Sequence, residues 1–298
     1  MNGYFPKIGE RPLSARPGYR HRCESDQVLP ALMLKVSSKT AYRRTQGRCS
    51  RMAWFLLVLL NLRSPEAAFE AAPPQGVLYQ PAYAIDDELR GPERPYCPQP
   101  GDLFLATDQS LWMRAGHWLA GSKGVHHSGI LFRRSDGRMG LIESGPFNKT
   151  AVEILDPFTH MNNHIEAGDR VWVRQRFVPL TPEQSASLTN FVEAQEAKPF
   201  ACVRLVLQIT PFRSRGSLRT AYMGGPHGDR NRYFCSELVL ESCVAAELLD
   251  PATTRPSATY PRDLFFGHSS NWYLDKHLPL AEGWYPPARW FPQEPVRP

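Results

Sequence analysis

Proline is so frequent in this 298-residue chain that long, uninterrupted helices are not expected to dominate its fold. The chain contains 28 prolines, and a proline inside a helix removes a backbone hydrogen bond and clashes with the preceding turn. The strongest helical pattern runs from Tyr233 to Leu249, and Asp250-Pro251 ends it. With 42% hydrophobic and 21% charged residues, the composition is that of a globular protein with a full apolar core.

The net charge of +6 is confined to the beginning of the chain. Residues 1–51 carry 11 Lys and Arg against 3 Asp and Glu, a balance of +8, and the remaining residues have a balance of −2. The body of the protein therefore has no electrostatic reason to bind nucleic acid.

Residues 1–72 have the pattern of a basic leader that contains a secretory signal. Four arginines precede the apolar run from Met52 to Leu62, and small residues follow it up to Ala72. The run has about 11 residues, whereas a membrane span needs about 20. We therefore expect export to the periplasm or cell envelope, with cleavage near Ala72.

Two alternatives to this interpretation are an uncleaved signal that anchors the protein and a buried helix of a larger N-terminal domain. The basic stretch before the apolar run is also longer than a signal requires. A translation start at Met33 or Met52 would explain that length and would leave residues 1–32 outside the natural protein.

Residues 73–97 are predicted to be a proline-rich linker, and residues 98–298 the folded domain. Seven prolines lie between positions 73 and 100, and such density excludes a regular helix and favours extended chain. The tail that follows Asp250 holds several Trp and Pro residues, so we expect it to be irregular and to wrap the surface.

Two kinds of periodicity predict an α+β domain. Apolar alternation predicts a hairpin over residues 127–143, and helical spacing predicts a short helix over 111–120 and a longer one that Thr181 caps. Further strands are predicted at 101–106, 152–155 and 170–174. A few helices with a meandering, largely antiparallel sheet define the α+β class.

Cys235 is the candidate nucleophile. It occupies the first position of the strongest predicted helix, where unpaired N–H groups and the helix dipole favour an anion. A thiol there can have its pKa lowered from about 8.5 to about 3.5–7.5, and the thiolate is the attacking species. The same N–H groups are suited to bind an oxyanion. The alternative is a small, buried hydrophobic residue.

Two adjacent histidines, His126 and His127, open the predicted hairpin. Imidazole titrates near neutral pH, so it can take a proton from a thiol and return it later. Adjacent strand residues face opposite sides, so only one of the two can be the base. We select His127 because it directly precedes Ser128-Gly129, and Gly129 would let a helix approach closely. A plain surface histidine is the alternative.

Glu143 ends the partner strand of the hairpin. Across one hairpin it is expected to lie beside the His127 ring, accept its second N–H and fix its tautomer. An ordinary edge-strand carboxylate is the alternative.

The order of these motifs resembles the circularly permuted papain-like cysteine hydrolases, the YiiX/YaeF-like branch of the NlpC-type superfamily. In that branch the histidine strand comes first, then the acid, and the cysteine helix comes near the end. The resemblance implies a papain-like fold in which a largely antiparallel sheet packs against the helix of the nucleophile. It also implies Cys235 as nucleophile, His127 as base and Glu143 as the residue that orients the base. The resemblance covers residues 98–266 and rests on Gly101-Asp-Leu-Phe, His127-Ser-Gly-Ile, Ile142-Glu-Ser, Tyr233-Phe-Cys-Ser-Glu-Leu-Val and Tyr260-Pro-Arg-Asp-Leu264.

Two departures from the family pattern concern the substrate. His126 stands where small or hydroxyl residues are usual, and the stretch 199–232 is long and rich in arginine. Tyr233 and His126 are weaker candidates for substrate or oxyanion contacts, with a packed aromatic residue as the alternative for Tyr233. The arginines of this stretch either meet an anionic substrate or belong to a solvated loop; they are Arg213, Arg215, Arg219, Arg230 and Arg232.

The remaining cysteines allow one disulfide, between Cys97 and Cys202, if the compartment is oxidising. Cys243 is eight residues after Cys235 on one helix, which is too far for a bridge. A zinc site built from His126, His127 and Cys235 competes with the hydrolase interpretation, but it lacks the usual ligand spacing. We therefore predict no metal and no cofactor.

The sequence predicts an exported cysteine hydrolase that cleaves amide bonds in a cell-wall peptide or an N-acyl substrate through a thioester. Its partners would be a peptide or an acylated small molecule, with cell-wall or lipid association. A lipid acyltransferase or thioesterase that uses the same residues is one alternative. A non-catalytic peptide- or acyl-binding module on the same fold is the other.

Overall fold

The computed structural model describes residues 75–119, 122–145, 150–207, 210, 227–269 and 278–293. The predicted basic leader, the signal and its cleavage position lie outside these residues. None of the helices in the described ranges is long and apolar enough to cross a membrane.

An eight-stranded sheet forms the centre of the described structure. Every strand pairing is antiparallel, and the strand order is β2-β1-β8-β7-β3-β4-β5-β6. The predicted α+β class with a largely antiparallel sheet is confirmed. The strands are β1 (Val77–Tyr79), β2 (Glu93–Pro95), β3 (Leu103–Ala106), β4 (His127–Arg133), β5 (Met139–Gly145), β6 (Ala151–Leu155), β7 (Val171–Arg174) and β8 (Ala288–Phe291).

Six α-helices accompany this sheet in the described ranges. The predicted cap of the third is present, because the Thr181 side chain accepts from the Gln184 amide and Gln184 reaches back to the Thr181 backbone. Helices α1, α3 and α5 match predicted helical segments, whereas α2, α4 and α6 were not predicted. The helices are α1 (Leu111–Leu119), α2 (Pro157–Glu166), α3 (Pro182–Glu193), α4 (Cys202–Leu207), α5 (Cys235–Ala245) and α6 (Pro261–Phe266).

The two faces of the sheet carry separate apolar cores. On one face, Ile130 and Ile142 pack in a cluster with Leu238 of α5. On the other face, Leu131 and Leu141 pack in a second cluster with Met161 of α2. Residues of alternating parity along β4 therefore face either α5 or α2, as the pleat of a strand requires.

The segment predicted as a linker belongs to the sheet. Strand β1 pairs with β2 and β8, and Leu78 and Tyr96 are fully buried. The prolines did not exclude this pairing because β2 is the outermost strand, where a missing amide donor costs little. Strands β1 and β2 both lie before residue 98, so the sheet begins within the segment predicted as a linker.

The tail also differs from the prediction. It was expected to be irregular, but β8 lies between β1 and β7 inside the sheet. Trp290 is buried and donates its indole N–H to the carbonyl of Gln75 at 2.9 Å. A strand of four residues with Arg289 among them gives too weak an alternation to detect.

Candidate active site

Cys235 begins helix α5, as predicted. The preceding residue, Phe234, has extended backbone, and no side chain caps the helix. The Cys235 side chain is 6% exposed, and its Sγ lies 3.8 Å from the carbonyl oxygen of His126. The sulfur is therefore placed against the backbone where β4 begins.

The electrostatic environment of this thiol differs from the expectation. Burial, and then the negative charge of Glu143, raises the pKa of Cys235 to about 12, although hydrogen bonds with Ser128 oppose both effects. This environment therefore favours the protonated thiol over the thiolate. Desolvation outweighs the lowering expected from the helix N-terminus, because a buried thiolate loses its hydration.

His127 and Glu143 lie together, as predicted. The His127 Nδ1 is 3.5 Å from Glu143 Oε1, and its Nε2 is 3.5 Å from Asp108 Oδ2. Burial opposes the charged imidazole, but the two carboxylates raise the pKa of His127 to about 9. Burial likewise opposes ionisation of Glu143, but His160 and His127 hold its pKa well below the ordinary value.

The face of β4 that carries His127 is the reverse of the one expected. The His127 ring lies 6.0 Å from the His164 ring of α2, measured between centroids, whereas Cys235 belongs to α5 on the other face. The sulfur and the His127 ring thus flank the same short stretch of strand from opposite sides.

Gly129 also has a different role from the one predicted. A Cβ at this position would lie 2.7 Å from Leu141 Cδ1 and 2.8 Å from the Ile142 carbonyl oxygen. The glycine therefore permits close packing of β4 against β5, on the face opposite to α5.

His126 faces the other way from His127. Its Nδ1 accepts the Asp108 amide at 2.9 Å, and its ring lies 5.0 Å from that of His117. Burial, and then the charge of His127, lowers the pKa of His126 to about 4, so this ring is neutral. It lines a cavity of about 780 Å³ that also contains Trp118 and four basic side chains, Arg114, Lys123, Arg170 and Arg262.

Tyr233 acts as a packed aromatic residue. Its hydroxyl accepts the Arg230 amide at 2.8 Å and donates to Asp229 at 3.2 Å. The backbone carbonyl of Tyr233 accepts the Ser144 hydroxyl at 2.7 Å. These contacts fasten the start of α5 to β5 and to the preceding loop.

The arginine-rich stretch is only partly within the described residues, since Arg213, Arg215 and Arg219 lie outside them. Arg230 is directed inward, with its Nε 3.3 Å from Glu237 and 3.4 Å from Glu241 of α5. Arg230 therefore pairs with the nucleophile-bearing helix, and Arg232 is exposed.

A second cluster of functional groups was missed by the sequence analysis. Glu143, His160 and His164 each offer a ligand atom, and these atoms lie within 4.8 Å of one another. The sequence does contain a feature that indicates this cluster. In His160-Met-Asn-Asn-His164, two histidines four residues apart share one face of a helix. The cap that starts this helix was also readable, because Asp156 precedes Pro157 and accepts the Thr159 amide at 2.8 Å.

The disulfide that the sequence allows between Cys97 and Cys202 is not formed. Cys97 is disulfide-bonded, but Cys202 is a free, exposed thiol, so the two are not joined to each other. Cys243 is also free and is buried in the core.

These observations define an α+β protein in which a buried cysteine begins a helix on one face of β4, and a histidine held by carboxylates lies on the other face. No protein-family model and no curated protein matches the sequence. Among solved structures, the chain is similar to the crystal structure of metalloprotein YiiX from Escherichia coli O157:H7, DUF1105, with a TM-score of 0.34 and 23% identity. The match covers 50% of this chain and 66% of that chain, so it spans just under two thirds of that protein.

Proposed function

We propose that the protein is an exported cysteine hydrolase of permuted papain-like fold, which cleaves amide bonds through a thioester on Cys235. One juxtaposition carries the proposal. The Cys235 sulfur is 3.8 Å from the carbonyl of His126, and the adjacent His127 is paired with Glu143 at 3.5 Å. The sulfur therefore lies against the start of β4 on one face of the strand, and the His127–Glu143 pair lies near the same end on the other face.

The two adjacent histidines differ in their ability to give a proton to an amine leaving group. His127 carries a proton between two carboxylates, whereas His126 is neutral and its Nδ1 already accepts a hydrogen bond. The sequence motifs favour His127 for proton transfer, with Glu143 as the orienting carboxylate. Because the His127 ring and the Cys235 sulfur lie on opposite faces of β4, this assignment requires the ring to reach the sulfur around the start of the strand.

The proposed reaction has two stages. Sγ of Cys235 bonds to the amide carbon, the C–N bond breaks, and the leaving nitrogen takes the His127 proton while His127 takes the thiol proton. Water then adds its hydroxyl to the acyl carbon, the C–S bond breaks, and a proton returns to sulfur. A cell-wall peptide or N-acyl amine is the proposed substrate. Transfer of the acyl group to a lipid instead of water would make the protein an acyltransferase.

A covalent adduct tests this proposal directly. We expect p-nitrophenyl acetate to acetylate wild-type protein at Cys235, which peptide mass spectrometry locates. Cys243→Ala is the matched control, because Cys243 is another buried thiol of α5 whose pKa burial raises to about 12. Adduct should persist in Cys243→Ala and vanish in Cys235→Ala. An acetyl adduct on Cys243, or no adduct on the wild-type protein, would refute the assignment of Cys235 as the nucleophile.

The two adjacent histidines offer a second matched pair. His127→Ala should lower the rate of acetylation at Cys235 by about 100-fold or more, the usual contribution of a positioned acid or base, whereas His126→Ala should retain most of it. Glu143→Gln should have a smaller effect than His127→Ala. If His126→Ala alone abolishes acetylation, the base is assigned to the wrong histidine.

Export is a separate part of the proposal. It predicts a mature N-terminus near Ala72, which N-terminal sequencing of the protein recovered from the periplasm would show. Recovery of only the unprocessed chain in the cytoplasm would contradict it.

A further inference from the structure

We propose that Glu143, His160 and His164 form a binding site for a divalent transition metal ion, with Zn²⁺ as the ion it fits best. Their ligand atoms lie within 4.8 Å of one another. The set of two imidazoles and one carboxylate is a recurrent protein zinc environment that leaves the fourth position open. This site is on the α2 face of the sheet and does not include the Cys235 sulfur.

The ligand rings are held in place before any ion binds. His160 Nε2 is 2.9 Å from Glu143 Oε2, and the His160 and His164 rings are 4.8 Å apart at an interplanar angle of 87°. Phe104 packs against both rings at 5.5 Å. A rigid apolar wall of this kind limits the rotamers of the two imidazoles and reduces the entropy lost on binding.

Outer-shell contacts also match those of metal-bound histidines. His164 Nδ1 is 2.8 Å from Asp169 Oδ2, and a carboxylate behind a ligating histidine fixes its tautomer. Asp169 is itself held, since Thr107 donates to its Oδ1 at 3.2 Å. At Gly145, a Cβ would lie 2.7 Å from Glu143 Oε1, so this glycine leaves room for the Glu143 carboxylate.

The charge balance favours a cation. Asp108, Glu143 and Asp169 are all buried, and the ion pairs that they make in the described part of the chain are with histidines. Buried carboxylates are costly without a full counter-charge. A divalent ion between Glu143 and the two imidazoles would supply it.

Zn²⁺ titration of the full chain, stripped with EDTA and followed by calorimetry, tests this site. We expect one Zn²⁺ per wild-type chain and at least a tenfold loss of affinity in His160→Ala and in His164→Ala. Asp169→Asn should weaken binding by about 10- to 100-fold, as loss of outer-shell partners does. His160 is partly exposed, at 15% of its side chain, so His160→Ala is expected to fold even if His164→Ala does not, and circular dichroism checks this.

Matched variants separate this site from the zinc site considered in the sequence analysis. Cys235→Ala and His126→Ala should bind Zn²⁺ as the wild type does, because neither residue is a ligand here. No binding by the wild type, equal binding by folded His160→Ala, or a loss in Cys235→Ala would each overturn the inference. Acetylation of Cys235 is read independently, so failure of the metal site and failure of the hydrolase proposal are distinguishable.

Discussion

Asp102 shows how one buried carboxylate can organise a loop. It accepts the Tyr96 hydroxyl at 2.9 Å, the Gln99 amide at 3.1 Å and the Arg176 amide at 2.8 Å. Burial nevertheless raises the pKa of Asp102 to about 7, because these hydrogen bonds and Arg94 only partly compensate for lost hydration. The carboxylate thus joins the segment that follows β2 to the segment that follows β7.

This raised pKa predicts a pH dependence of stability. The unfolded carboxyl ionises near pH 3.9, whereas folded Asp102 keeps its proton until about pH 7, so the folded state binds more protons between these values. The contribution of Asp102 to the free energy of unfolding is fully present below pH 4. It is lost as the pH rises to 7, by up to about 1.4 kcal/mol per pH unit. Urea unfolding at pH 4.5–7 should show this slope in the wild type and a smaller one in Asp102→Asn. Equal slopes would contradict the assignment.

At the scale of an element, helix α5 carries a buried acidic face as well as the candidate nucleophile. Glu237 and Glu241 are buried one turn apart, and Arg204 Nη2 is 2.8 Å from Glu237. Arg230 reaches both glutamates. The arginines therefore neutralise a helix that otherwise packs through apolar contacts.

Removal of Arg230 should destabilise the protein strongly. Arg230→Ala leaves Glu241 without this cation in a buried site, and breaking such a pair costs about 3–5 kcal/mol. Arg232→Ala is the matched control, because Arg232 is exposed in the same loop and such surface changes are usually within about 0.5 kcal/mol. The free energy of urea unfolding measures both variants. Similar free energies of unfolding for the two variants would mean that the ion pairs of Arg230 with Glu237 and Glu241 do not stabilise the protein.

At the scale of the whole molecule, segments from both ends of the described chain contribute neighbouring strands to the sheet. Strand β8 pairs with β1 through Leu78–Trp290 and with β7 through Trp172–Arg289. Strands β1 and β2 therefore depend on β8 for their place in the sheet.

Substitution of Trp290 tests whether β8 is needed to hold the sheet together. Trp290→Ala should cost about 3–5 kcal/mol, as is typical of large-to-small core changes, and should lower the urea midpoint. Val203→Ala is a suitable control, since Val203 is 74% exposed. An unchanged midpoint in Trp290→Ala would show that β8 is not needed to hold the sheet together.

Local patterns predicted much of the fold, because alternation and capping residues are properties of short segments. They identified the β4–β5 hairpin, the Thr181 cap and the start of α5. They did not identify β8, whose place is decided by contacts with β1 and β7. The segment 75–97 was missed for the same reason, since its prolines are compatible with an edge strand.

The candidate site was predicted in part for a related reason. Alternation shows that His126 and His127 face opposite sides, but it does not show which side α5 covers. The pairing of His127 with Glu143 followed from one hairpin. The contacts of Glu143 with α2 depend on a helix that was not predicted, although the spacing of His160 and His164 was visible in the sequence.

Because the His126 and His127 rings face opposite sides of β4, the register of this strand decides which of the two rings lies on the α5 face. A slip of β4 by a single position relative to β3 and β5 would exchange the faces of all its side chains, so the His127 ring would turn to the face that carries α5 and the thiol. In an evolutionary variant, an insertion or deletion of one residue in the loop before β4 would thus be enough to change which histidine faces α5. The sequence of the strand itself would stay the same.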